Sequence, residues 1–190
     1  MKILIFDGCN SNGGIFFPDV LPNKSKVINI HLNKQNILNC TGCMSCVWNV
    51  EKMNPGYCKL NDDMKFIYPT FIHSDLVILM TDIIFGGFSF QLKRVIDRLL
   101  SALFTAPLKK RGNDVGHIMR YKKRPSILGI GIQKEKNQEM EEIFIEYVSR
   151  LSILWDVPYY DSFVYALNGD PELNKYLIKN KIEKWVKTLQ

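Results

Sequence analysis

Four of the five cysteines in this 190-residue chain, Cys40, Cys43, Cys46 and Cys58, fall within the nineteen residues "CTGCMSCVWNVEKMNPGYC". A C-x2-C-x2-C run lets three thiolates reach one iron–sulfur cluster, with a fourth ligand from further along the chain. Four thiolates also suit zinc, two suit a thiol–disulfide pair, and all four could be free thiols packed in a loop. In a reducing compartment, clustered cysteines bind metal or do redox chemistry more often than they form structural disulfides. Cys9, just after the first apolar run, reads as a small buried residue.

Two glycine-bearing stretches offer a different chemistry. In "MTDIIFGGFSFQLKRVIDRL", Gly86 and Gly87 would let the backbone approach a flat ligand, and Phe85 and Phe88 would offer it aromatic surface. The helix that follows would present free N–H groups to an electron-rich edge. The alternative is that Gly-Gly makes a tight strand-to-helix turn and nothing more. Earlier, Asn10, Ser11, Asn12, Gly13 and Gly14 could form an anion-binding nest, or a plain surface loop.

These stretches need a frame, and the apolar pattern supplies one. Short buried or β-branched runs at Lys2–Phe6, Lys26–His31, Asp75–Met80, Ser126–Ile132 and Ser162–Ala166 read as strands. Helical spacing follows Asp62 and Asp63, which can cap a helix through "MKFIYPTFIH" that Pro69 should kink. Helices also follow Gly87, span Lys136–Leu154, and close the chain after Asp170 and Pro171. Strands alternating with helices predict an α/β protein with one five-stranded parallel sheet and helices on both faces. These spacings fit the flavodoxin-like order 2-1-3-4-5, with the site beyond the carboxyl ends of the strands. The expected organisation is one domain over residues 1–190, with the cysteine-rich loop 40–58 inserted after the second strand.

Composition narrows the function classes. The net charge of +6 concentrates at Lys109, Lys110 and Arg111 and again at Arg120, Lys122, Lys123 and Arg124. Such runs are solvated faces or attract phosphate, NADPH included. No finger spacing, RNP-type motif or basic helix accompanies them, so nucleic acid is not an expected partner. The apolar start is too short for a signal peptide, and no run suits a membrane span, so a cytoplasmic protein is expected. No nucleophile elbow, Walker loop or paired-carboxylate pattern is present.

Taken together, "CTGCMSCVW", "NPGYCKLNDDM", "FGGFSFQLKRVIDRLL" and "MRYKKRP" before a strand resemble the flavodoxin-like NAD(P)H-dependent FMN reductases and the related iron–sulfur flavoproteins. The resemblance implies an FMN lying against Thr81, Asp82, Ile83, Ile84, Phe85, Gly86, Gly87, Phe88 and Ser89. Its phosphate would lie toward Asn10, Ser11 and Asn12. It further implies NAD(P)H as reductant, a small-molecule or protein electron acceptor, and a homodimer that completes the flavin pocket. The iron–sulfur branch would place a [4Fe-4S] cluster on Cys40, Cys43, Cys46 and Cys58. A third possibility is a flavodoxin-like binding module without flavin. Where relatives often carry proline, this chain has Asp82, and an acidic group there would disfavour an anionic reduced flavin.

Overall fold

The structure is a computed structural model that describes residues 1–10, 21–48, 58–111 and 114–188. Strands β1 (Lys2–Asp7) and β2 (Lys26–His31) are followed by helices α1 (Ser45–Trp48) and α2 (Met64–Ile72). Strand β3 (Leu76–Asp82), helix α3 (Phe90–Leu103) and strands β4 (Phe104–Arg111) and β5 (Asp114–Met119) come next. The chain continues through β6 (Ser126–Gln133), α4 (Gln138–Trp155), β7 (Tyr160–Ala166) and α5 (Pro171–Thr188). The main sheet runs β2-β1-β3-β6-β7 with every pairing parallel, which is the flavodoxin-like order.

The burial pattern explains that order. All eight residues of β6 and six of the seven in β3 are buried, as central strands covered on both faces must be. Side chains alternate between two cores. Leu4, Phe6, Val77 and Leu79 pack under α2, α3 and α4, whereas Ile3, Ile5, Ile78 and Met80 pack with Ile178, Ile182 and Trp185 of α5. On β6 a Cβ at Gly131 would lie 2.7 Å from Ile83 Cδ1 and 3.0 Å from Phe144 Cε1, so glycine there lets both side chains close over the strand.

The structure adds to three expectations. The antiparallel hairpin β4–β5, a sheet of its own, occupies the basic stretch that carried no strand signal. Pro69 lies inside α2 without ending it: the helix runs three residues further, and the His73 N–H bonds to the Pro69 carbonyl at 3.1 Å. Asp62 does more than cap, and Asp63, at the N-cap position, makes no side-chain cap bond. Asp62 is fully buried and takes a bidentate pair from Arg98 (2.6 and 3.1 Å), as well as the Leu38 N–H (2.8 Å) and the Met64 N–H (3.2 Å). Asp63 accepts from the Asn36 N–H at 2.7 Å. Among the described residues no helix is long and apolar enough to cross a membrane.

Candidate functional site

Strand β1 lies between β2 and β3, so the chain leaves it on one side and returns on the other. That reversal opens a crevice beyond the carboxyl ends of the strands. The segment after β3 forms its wall. The Ile83 N–H bonds to the Ile132 carbonyl (2.9 Å), and Ile84 and Gly87 exchange two backbone bonds (3.1 and 2.9 Å) around Phe85 and Gly86. Both central residues have positive φ, 49° and 76°, the signature of a type I′ turn. Gly86 cannot be replaced freely, because a Cβ there would lie 2.3 Å from Ile143 Cγ2. Gly87 has ordinary contacts at 3.5 Å and beyond, so within the protein the steric constraint on the turn falls on Gly86.

Phe85 pays a conformational cost, since an aromatic side chain is rarely found in the left-handed region. It is nevertheless 95% exposed, so no core contact holds it there. Phe88 differs from expectation. It is buried edge-on to Phe144 (5.8 Å) and beside Tyr147 (4.6 Å), where it fixes the turn to α4 rather than offering surface to a ligand.

Thr81 and Ser89 are fully buried and hold the backbone. The Ser89 N–H donates to Thr81 Oγ1 (2.8 Å), and the Ser89 hydroxyl donates to the Gly8 carbonyl (2.6 Å) while capping α3 at Leu92 N–H (3.4 Å). Asp82 accepts the Asn10 N–H at 2.8 Å, and Asn10 Oδ1 accepts from Gln91 Nε2 at 2.6 Å. The start of the first loop is therefore strapped to β3 and α3. Ser11 and Asn12 lie outside the described residues.

A cleft of about 610 Å³ opens between these segments and the loop after β6. Asn10, Asp82, Ile83 and Ile84 line one side, and Gln133, Lys134 and Glu135 the other. The last three escaped the sequence reading, although they directly follow the strand Ser126–Ile132 at the sheet's carboxyl edge, which is the available signal. Gln133 shapes that side: its amide donates to the Asn137 carbonyl (3.0 Å) and accepts the Asn137 N–H (2.7 Å).

The cysteines are all free. Cys40 and Cys43 are exposed, and Cys46 and Cys58 half-buried. Burial pushes the Cys46 thiol up, and Cys58, Cys40 and Cys43 nearby add to this. The Ser45 N–H and the Thr41 hydroxyl hold Cys43 below the usual thiol range. Among the described residues no three His, Cys, Asp or Glu side chains are grouped to hold a metal ion. Cys9 is buried, and that burial, with the Asp7 and Asp82 carboxylates, pushes its thiol far up, which makes it unreactive.

The fold and the cleft define a doubly wound α/β protein with a ligand-sized cleft at the carboxyl edge of its sheet. An NAD(P)H:quinone oxidoreductase from Methanothermobacter marburgensis has the same architecture, with a TM-score of 0.64, 12% identity and coverage of 95% of this chain and 94% of that one. An FMN-dependent NADH-azoreductase from Bacillus anthracis, solved in complex with FMN, matches at TM-score 0.59 and 9% identity over 99% of this chain and 98% of its own. An NADH:FMN oxidoreductase in its apo form matches at TM-score 0.58 and 14% identity over 96% and 87%. At these identities the likeness establishes the fold. The sequence matches no protein-family model and no curated protein at a significant level.

Proposed function

We propose that the chain is a flavin-dependent NAD(P)H oxidoreductase that binds FMN in the cleft at the carboxyl edge of its sheet. The observation that carries this reading is the Phe85–Gly86 turn. It holds an exposed aromatic residue in a costly conformation directly after Ile83 and Ile84, which line the cleft at the carboxyl edge where such folds place ligands. Three similar structures whose names refer to FMN or to NAD(P)H oxidation support it.

The described residues fit a flavin's ring system. Ile83 and Ile84 supply apolar contact in the cleft, and Phe85, next in the chain, is exposed. Asn10 begins the segment that would carry the phosphate, with Ser11 and Asn12 next in sequence. A bound flavin supplies hydride transfer itself, which is why no acid–base pair is needed in the cleft. The chain's task is then to position a flat ligand, keep water from one face and set the local charge. A small-molecule or protein acceptor would reach the open side, and a second copy of the chain would cover Phe85 in a homodimer.

The test is anaerobic titration with FMN followed by NADPH or NADH. Quenched flavin fluorescence on binding, then bleaching by the nicotinamide, is the expected result. Failure of the folded protein to take up FMN or riboflavin would overturn the reading.

A further inference from the structure

The charged side chains around the cleft are unevenly balanced. Among the described residues, Asp82 and Glu135 line it with one lysine, Lys134. Asp7, at the end of β1 and outside the cleft lining, accepts the Cys9 N–H at 3.1 Å and pairs with His31 Nδ1 at 2.7 Å. Asp82 is the most firmly placed of the acids facing the cleft, because its Oδ2 holds the Asn10 N–H at 2.8 Å and Asn10 is itself fixed by Gln91.

A ring system that takes up two electrons and one proton gains one negative charge. Inside a cleft of this size that charge lies within about 10 Å of the lining carboxylates, a range over which water and salt screen only partly. We infer that Asp82 is a potential-setting residue, whose fixed carboxylate makes the cleft hold oxidised flavin in preference to reduced flavin and so makes the bound flavin a stronger reductant. This rests on the flavin reading above. Lys134, on the opposite wall, acts in the contrary sense.

The experiment compares dissociation constants for oxidised and dithionite-reduced FMN in the wild type, Asp82→Asn and Lys134→Gln. Asparagine keeps an oxygen for the Asn10 N–H and removes the charge. The ratio of reduced to oxidised dissociation constants should fall about five-fold in Asp82→Asn and rise in Lys134→Gln, as expected for one charge across such a cleft. Riboflavin, which lacks the phosphate, should show the same changes in ratio, which separates an effect on the ring from one on the phosphate. An unchanged ratio in Asp82→Asn would overturn the inference and leave flavin binding intact. The same holds if both variants shift the ratio in one direction. No flavin uptake by the wild type would remove the reading of the site and this inference with it. Should Asp82→Asn misfold, the exposed Lys134→Gln still decides: a ratio that does not rise overturns the charge argument.

Discussion

Helix α3 anchors two loops by opposite means. At its first turn the neutral hydroxyls of Ser89 and Thr81 are buried to hold the β3 turn, and what reaches solvent is apolar: Ile84 and Phe85. One and two turns further on, Arg94 and Arg98 reach the segment that leads into the cysteine run, donating to the Ile37 and Leu38 carbonyls at 2.8 Å. Arg98 also closes the buried pair with Asp62. There the buried groups are charged, and what reaches solvent is thiol: Cys40 and Cys43. A polar residue next to a turn can thus be consumed in holding the turn, and its type alone does not make it a ligand contact.

The charged anchor should be the costlier to break. Arg98→Met leaves the Asp62 carboxylate buried without its partner, a loss of about 3–5 kcal/mol that a chemical denaturation curve would show. A loss under about 1 kcal/mol would mean the pair is not closed in solution. The same anchor predicts a pH dependence. Burial alone would raise the Asp62 carboxyl, but hydrogen bonds from Arg98 and from the Leu38 and Met64 N–H groups outweigh it and hold the group below the ordinary carboxylate range. Its contribution is therefore complete above the unfolded value of about 3.9 and is lost as pH falls through the lower folded value. Asp62→Asn should flatten that acid limb of stability, and an unaltered limb would assign it to other carboxylates.

At the neutral anchor the expected effects are smaller and separate stability from binding. Gly86→Ala combines a positive φ with a clash against Ile143 and should cost roughly 1–3 kcal/mol and most of the flavin affinity. Gly87→Ala, with ordinary contacts only, should stay within about 0.5 kcal/mol of wild type. Equal losses would show that the turn differs from the one described. Phe85→Asn relieves the left-handed strain and should gain about 1 kcal/mol in thermal unfolding while weakening flavin binding. Unchanged binding would remove Phe85 from the site. Cys43→Ser, at an exposed thiol, should leave both stability and flavin content within error, and a bleached absorption band would contradict this.

The sheet was legible because its central strands are continuous apolar runs bounded by turn residues, "DLVILM" and "SILGIGI" above all. The hairpin β4–β5 was not, since Lys109, Lys110 and Arg111 read as a solvated face and its pairing gives no apolar alternation. The turn at the carboxyl edge was legible: "DIIFGGFS" marks it after the third strand. The direction of its side chains was not. Whether Phe88 faces the cleft or the core depends on where α3 begins, which Ser89 decides by reaching Gly8, 81 residues away. Asp62 and Arg98, 36 residues apart, likewise carry no local signal of their pairing.

The most direct test of the account is FMN binding to the wild type beside Gly86→Ala and Gly87→Ala, followed by flavin fluorescence. Binding that survives in Gly87→Ala and is lost in a folded Gly86→Ala is the predicted result, because only Gly86 holds the turn against Ile143. A folded wild type that leaves added FMN fully fluorescent would contradict the claim that this cleft is a flavin site.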